Sequence, residues 1–402
     1  MGTGTSKSAA GRNTAFVVEQ AKAHIARAVG HQLMHLSIRR RRGKRVVLPD
    51  GREVVEFINC SYLGLDTRQE VIAAAKDVLD GWGVHFCCAR SRFSIDPNRE
   101  LEERLSRWMG GGRAITFPSV TSAHMSTLPL VASGVLLPGP RRRVRLIFDR
   151  FAHASMQYLK PILAVEARVT TLCHNDLAGL EREARAARRC GEAAVYVADS
   201  VYSMGGVCPL DEVVEMSRRL GFGLYLDDAH GTSIFGARGE GYVLSRTGGV
   251  LPDNAILTFS LAKGFGCNGG GVLVPDSQRE RLVRSFGQTY AFSAPLDFSV
   301  QGAALAALAL HEDGTVAGLQ KRLRDNVALL DEELLQTGLP FSPIRMVMIG
   351  SEDEAIRVGA ELLEAGFFVS VAMFPVVPRG RAQLRLCVGV GHTKAQIRDL
   401  AR

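Results

Sequence analysis

From about Glu70 to the 290s the chain alternates helical segments with short apolar runs of β-formers, and this alternation constrains it more than any other feature. The runs are Leu146-Ile147-Phe148, Ala194-Val195-Tyr196-Val197-Ala198, Phe222-Gly223-Leu224-Tyr225-Leu226 and Gly271-Val272-Leu273-Val274. Such a pattern predicts an α/β fold, with a mostly parallel central sheet and helices on both its faces. Upstream, Phe16, Ala21, Ile25, Ala28 and Leu33 recur at helical spacing and predict a helix over 15–34. Val46 to Phe57 reads as a hairpin turning at Asp50-Gly51. A long apolar helix over 296–311 leads out of the alternating region, and strands near 367–371 and 383–388 predict a smaller α+β domain. Three parts are therefore expected: an N-terminal arm, helix and hairpin (1–60), a large domain (61–295) and a small C-terminal domain (296–402). The first dozen residues, Met1 to Arg12, are rich in Gly, Ser, Thr and Ala and are expected to lack fixed structure.

The ends of two of these strands carry unusual chemistry. The run ending at Leu226 delivers Asp227-Asp228-Ala229-His230-Gly231, and a second short strand, Ala255 to Ser260, is followed closely by Lys263. In an α/β sheet, functional groups collect where strands end. A lysine amine and a carboxylate placed there suit pyridoxal phosphate. The amine forms a Schiff base with the aldehyde, and the carboxylate keeps the ring nitrogen protonated so that the ring accepts electrons from a carbanion. Each feature also has an ordinary reading, since an Asp-Asp pair after a strand often caps a helix and a lysine before glycine is often a solvated charge. Their order, each behind its own strand, favours the chemical reading.

A longer series of motifs runs through Tyr62-Leu63-Gly64-Leu65, Asp149-Arg150-Phe151-Ala152-His153-Ala154-Ser155, His174-Asn175-Asp176, Tyr202-Ser203-Met204-Gly205-Gly206, the Asp227 and Lys263 segments, and Leu384-Arg385-Leu386. From about Phe57 to Arg402 the chain resembles the α-oxoamine synthase family of fold-type I pyridoxal phosphate enzymes. The resemblance implies that Asp227 pairs with the pyridine nitrogen, His230 hydrogen-bonds the phenolic oxygen, and His153 stacks on the ring. It implies phosphate contacts from Ser119, Val120 and Thr121 at a helix start, from Ser260, and, across a homodimer interface, from Ser293 of the other copy. Asp199 and Ser203 are expected in the cofactor site as well, and Arg385 is expected to clamp the α-carboxylate of an amino acid.

The implied reaction joins an amino acid to an acyl thioester, carried by coenzyme A or by an acyl-carrier protein, with loss of carbon dioxide to give an α-amino ketone. Lys263 would move the Cα proton, and His153 or a nearby donor would polarise the acyl carbonyl. An aminotransferase or aldolase would share Lys263 and Asp227 without needing a thioester. A catalytically weak scaffold would bind cofactor only.

Departures from the family pattern cluster where substrates are expected. Cys60, with Asn59 before it, stands where an asparagine is usual, and the bulky segment Val84 to Ser94, with His85, Phe86 and Arg90, replaces a glycine-rich one. These positions are expected to set substrate choice, with Asn59, Cys60, His85 and Arg90 as substrate contacts; Arg90 and Arg92 read equally well as surface charges.

Composition fits a large enzyme, because 402 residues with 46% hydrophobic and 22% charged content bury a sizeable core. The chain shows no bilayer-length apolar run and no signal peptide, which predicts a cytoplasmic protein. Eight cysteines form neither a disulfide framework nor a paired CxxC metal spacing, so no metal site is expected. The net charge of +8 is concentrated in Arg39 to Arg45 and Arg141 to Arg143. Without a recognition motif these runs read as solvated loop charge, with attraction of an anionic acyl carrier or of coenzyme A phosphates as the functional alternative and no nucleic acid as partner.

Overall fold

A computed structural model describes residues 14–204 and 206–402, so the expectation for Met1 to Arg12 lies outside the described residues. Its central sheet has seven strands: β1 Arg113–Phe117, β2 Val144–Asp149, β3 Arg168–Leu172, β4 Ala193–Asp199, β5 Gly223–Asp227, β6 Ala255–Ser260 and β7 Gly270–Val274. Their order is β1-β7-β6-β5-β4-β2-β3. Only β7 runs against its neighbours, β1 and β6; the other pairings are parallel. Strands β2, β5, β6 and β7 are buried along their whole length, as strands covered on both faces must be, and this explains their continuous apolar runs.

Two strands of this sheet escaped the sequence reading. β3 is an edge strand, half-exposed and rich in threonine, and β1 begins on an exposed arginine. Neither presents a long apolar run.

The chain divides into two units. The larger comprises Cys60–Pro343 and Val388–Lys394 and holds the seven-stranded sheet; the other comprises the described residues up to Asn59, with Ile344–Cys387 and Ala395–Arg402. The expected break after residue 295 differs from this division, because the helix Phe298–Glu312 falls in the larger unit. That helix packs on the helix Gln69–Trp82 at Gly302, where a Cβ would lie 2.2 Å from the Ala74 carbonyl oxygen. Only glycine permits so close an approach.

In the other unit the helix Thr14–Gly30 and the helix Glu352–Glu364 cover a core that includes Ala28, Val46, Leu48, Val54, Ile356 and Phe368. The expected hairpin is present as Arg45–Val47 paired with Glu53–Glu56, and Arg40–Arg42 adds an outer strand to it. The arginine run is therefore a strand rather than a loop, turned back at Gly43 with φ +58°. Lys44 departs further from the expectation of solvated charge: it is buried, with its Nζ 3.2 Å from Glu56 Oε1. Among the described residues all eight cysteines are free, and no helix is long and apolar enough to cross a membrane.

Candidate active site

Asp227 is the last residue of β5, and its position in the register lies opposite Asp199, the last residue of β4, and Thr258 of β6. It is buried, and its Oδ1 accepts the Ala229 N–H at 3.0 Å. Its neighbour Asp228 has different surroundings. There the Ser200 hydroxyl and the Val243 N–H donate to the carboxyl, and Gly231 and Gly241 pack so tightly that a Cβ on either would overlap it. Burial pushes the Asp228 carboxyl up to about 7. The two aspartates thus have separate tasks: Asp228 fastens the loop, and Asp227 stands at the carboxyl end of a central strand.

His153 caps the short helix Ala154–Gln157 beyond β2, and its backbone N–H donates to Asp199 Oδ1 at 2.9 Å. Burial raises Asp199 well above the ordinary carboxylate range, and the charge of Asp227 adds to this against the pull of the His153 N–H and of Lys263. Burial also lowers the His153 imidazole; Asp227 opposes this, and Lys263 assists it. Lys263, half-buried in the loop after β6, therefore belongs electrostatically to the same cluster as Asp199, Asp227 and His153. Its loop is held close to the fold, since a Cβ on Gly266, where φ is +79°, would lie 2.6 Å from Leu65 Cβ.

Other residues singled out by sequence are placed as follows. His230 is buried, and its Nδ1 pairs with the Tyr62 hydroxyl at 2.9 Å. Ser260 is buried at the end of β6, its hydroxyl accepting the Ala262 N–H at 3.0 Å. Ser119 caps the helix Val120–Ala132 through a reciprocal arrangement with Ser122, which leaves Val120 and Thr121 in the first turn, where backbone N–H groups face outward. Ser203 lies on the turn after Val201–Tyr202. The Ser293 hydroxyl donates to the Thr289 carbonyl at 2.5 Å.

The residues expected to contact substrate are less alike. Arg385 is buried on the strand Ala382–Cys387, where Leu384 and Leu386 are buried too, so this strand is covered on both sides. Asn59 is tied into the buried Lys44–Glu56 pair. Cys60 is half-buried, its carbonyl accepting the Tyr62 N–H at 2.8 Å. His85 is exposed, 6.3 Å from the ring of Phe298. Arg90 is neither a surface charge nor an open substrate ligand: it is buried, paired with Glu102 at 3.3 Å and stacked 4.0 Å over the Tyr290 ring.

Sequence reasoning missed His124. It lies on the helix Val120–Ala132 and is fully buried, with Nε2 3.4 Å from Asp227 Oδ2 and 3.1 Å from Thr258 Oγ1, and Nδ1 2.9 Å from Ser155 Oγ. Burial pulls its imidazole down to about 4, with Asp227 opposing. The signal was available: counting in helical turns from Val120 puts His124 on the same face as Thr127 and Leu128, and so toward the sheet.

A model of the family described as aminotransferase class I and II matches residues 59–402. Similar proteins include a putative 8-amino-7-oxononanoate synthase of Desulforudis audaxviator, 32% identical over 361 residues, which are 88% of this chain and 89% of that protein. The 8-amino-7-oxononanoate synthase of Geobacter metallireducens is 31% identical over 385 residues, 92% of this chain and 93% of that one. Among solved structures, serine palmitoyltransferase from S. paucimobilis with a bound PLP–myriocin aldimine superposes with a TM-score of 0.83 over 96% of each chain, at 24% identity.

Proposed function

This chain belongs to the aminotransferase class I and II family, and its relatives are α-oxoamine synthases, which depend on pyridoxal phosphate; from that premise we propose that it condenses an amino acid with an acyl thioester, releasing thiol and carbon dioxide and leaving an α-amino ketone. The supporting observation is the buried cluster at the carboxyl ends of the central strands, where Asp227 stands beside Asp199 and His153 and the charge of Lys263 acts on both of the latter. The donor set fits pyridoxal phosphate: an amine for the aldehyde, a carboxylate for the ring nitrogen, a flat imidazole for the ring face and a capped helix start for the phosphate.

Bound there, the cofactor supplies a sink for the electron pair released when a Cα bond breaks. The residues do the rest. The Lys263 amine takes the Cα proton of the amino acid. Asp227 holds the proton on the ring nitrogen, His230 hydrogen-bonds the phenolic oxygen, and His153 fixes the ring plane. Ser119, Val120, Thr121 and Ser260 bind phosphate, with Asp199 and Ser203 bordering the same site. Arg385 is assigned the amino acid's carboxylate on the chemistry of its guanidinium. In balance, the Cα–H bond gives way to a bond between Cα and the acyl carbon, the C–S bond breaks to free the thiol, and loss of the carboxylate as carbon dioxide is made good by a proton at Cα.

The working unit is proposed to be a cytoplasmic homodimer with Ser293 directed at the other copy's phosphate. Cys60 and the segment around His85 are proposed to bias the choice of amino acid and acyl group.

The test is to incubate purified protein and pyridoxal phosphate with single amino acids and a panel of acyl-CoAs and acyl-carrier proteins. Release of thiol and carbon dioxide in equal amounts with one pair is expected. Amino transfer to an oxoacid without thiol release would overturn the reading in favour of an aminotransferase, and cofactor binding without any turnover would leave a binding protein. Sedimentation at assay concentration checks the dimer, which a fully active monomer would exclude.

A further inference from the structure

Asp227 has two carboxylate oxygens with different partners. Oδ1 is held by a backbone amide, Ala229 N–H at 3.0 Å, and Oδ2 faces the His124 Nε2 at 3.4 Å. His124 in turn shares the hydroxyl of Ser155 with His153, since Ser155 Oγ lies 2.9 Å from His124 Nδ1 and 2.7 Å from His153 Nδ1. The hydroxyl has one proton and two lone pairs, so it donates to at most one of the two rings. The two rings are thereby coupled: if Ser155 donates to one Nδ1, the other Nδ1 must carry a proton to bond it.

The choice follows from Asp227. Nε2 lies nearer the Thr258 hydroxyl, at 3.1 Å, than Asp227 Oδ2, at 3.4 Å. An unprotonated Nε2 would set its lone pair against the buried carboxylate's negative charge, so His124 carries its proton on Nε2, shared between the hydroxyl oxygen and the carboxylate. Its Nδ1 then accepts from Ser155, and Ser155 accepts from His153 Nδ1–H. The Ser155 backbone N–H, 3.3 Å from His153 Nδ1, is the longer and weaker contact that gives way in this arrangement.

We propose that His124 is a positioning residue that orients Asp227 toward the cofactor nitrogen without neutralising it, and through Ser155 fixes His153 as the Nδ1–H tautomer. Burial keeps the imidazole uncharged near neutral pH, with its ionisation pulled down to about 4. A neutral donor holds the carboxylate in place and leaves its negative charge for the ring; a lysine or arginine at this position would cancel that charge. A second consequence concerns His153. In this tautomer its Nε2 accepts a hydrogen bond, so polarising an acyl carbonyl falls to another donor.

The catalytic consequence rests on the reading of Asp227 given above, whereas the tautomers do not. The full chain, selectively ¹⁵N-labelled at its ten histidines, is measured with and without pyridoxal phosphate, the signals being assigned by single replacements. Nε2–H on His124 and Nδ1–H on His153 are expected, and Ser155→Ala should free His153 from that tautomer. Two variants separate a positioning role from simple packing. In His124→Gln the amide nitrogen replaces Nε2, and turnover should fall only slightly. In His124→Asn the amide replaces Nδ1, and kcat should drop about 10- to 100-fold with little change in KM, the scale seen for groups that orient a functional residue. A proton on His124 Nδ1, or equal kcat in the Gln and Asn variants while Asp227→Asn is impaired, would overturn the proposal. If the tautomers are as expected and Asp227→Asn turns over normally, the reading of Asp227 falls and the placement of His124 stands.

Discussion

Asp199 and Asp227 stand opposite each other in the register of two adjacent parallel strands, and both are buried. Two carboxylates in such a place do not both ionise cheaply. The burden falls on Asp199, which burial and its neighbour's charge raise well above the ordinary range. Burial therefore weighs against charge on Asp199, and the other member of the pair is the residue that also faces His124.

It follows that the two aspartates respond differently to the same replacement. At Asp199, Asn removes a charge that burial already disfavours, whereas at Asp227 it removes the carboxylate proposed to pair with the ring nitrogen. Asp227→Asn should retain cofactor and lose turnover by several orders of magnitude, on the order of the ~10⁴ found when a carboxylate supporting a catalytic ring nitrogen is neutralised. Asp199→Asn should lose far less. Steady-state rates of the two variants against the parent decide it, and a near-normal Asp227→Asn would refute the role given to that residue.

Lys263 is the amine in the cluster with Asp199 and His153, and its loop is fixed by the close approach of Gly266 to Leu65. Lys263→Ala should abolish covalent attachment of pyridoxal phosphate while leaving the fold intact. Borohydride reduction of the parent followed by peptide mapping should recover the cofactor on Lys263. Recovery on any other lysine would displace the site.

How much of this was legible in the sequence depends on what kind of signal each part leaves. Strands β2, β4, β5 and β7 are apolar runs because both their faces are covered, and sequence reports that directly. β3, an edge strand, and the Arg40–Arg42 strand have exposed side chains, so nothing in their composition separates them from loops. Asp227 and Lys263 could be picked out because each follows a strand. His124 sits inside a helix, where helical counting places it toward the sheet but does not name Asp227 as its neighbour. Arg90 misled for the opposite reason: a charge in a departing loop looks like a substrate contact, whereas its partner Glu102 lies on the helix Asp96–Trp108 and pairs with it only through the fold.

Arg90 is accordingly expected to matter for stability. Burial alone would raise the Glu102 carboxyl, but Arg284 and Arg90 outweigh it and hold the group below its usual range. Arg90→Ala leaves Glu102 with Arg284 as its cation and with the Thr116 N–H and hydroxyl, takes a donor from the Thr116 carbonyl and uncovers the Tyr290 ring. Breaking a buried pair so that one charge is left uncompensated costs about 3–5 kcal/mol, and Arg284 and Thr116 hold the cost here below that range. A lowered melting temperature with the parent's substrate ranking is expected, and His85→Gly, at an exposed ring, is the variant in which ranking should change. Unchanged melting in Arg90→Ala would refute the structural role.

Asp228 should give the fold a pH dependence of its own. Its carboxyl titrates at about 7 in the folded chain against 3.8 for the free group, because it is buried beside Asp227 and receives only the Ser200 hydroxyl and a few backbone N–H groups. A raised carboxyl favours the folded state while it holds its proton. The contribution is complete below 3.8 and is lost as pH rises toward 7. The span corresponds to about 4 kcal/mol at most. His124 acts in the opposite sense, since its folded value of about 4 against 6.5 gives stability above 6.5 that is lost as pH falls toward 4. The two therefore overlap in a simple pH scan, and the difference between parent and variant isolates Asp228. Asp228→Asn keeps an oxygen for the Val243 N–H and a partner for Ser200 but has no proton to lose. Urea midpoints measured from pH 4.5 to 7.5 should show the parent losing stability relative to Asp228→Asn as pH rises; parallel curves for the two proteins would mean that Asp228 remains ionised in the fold.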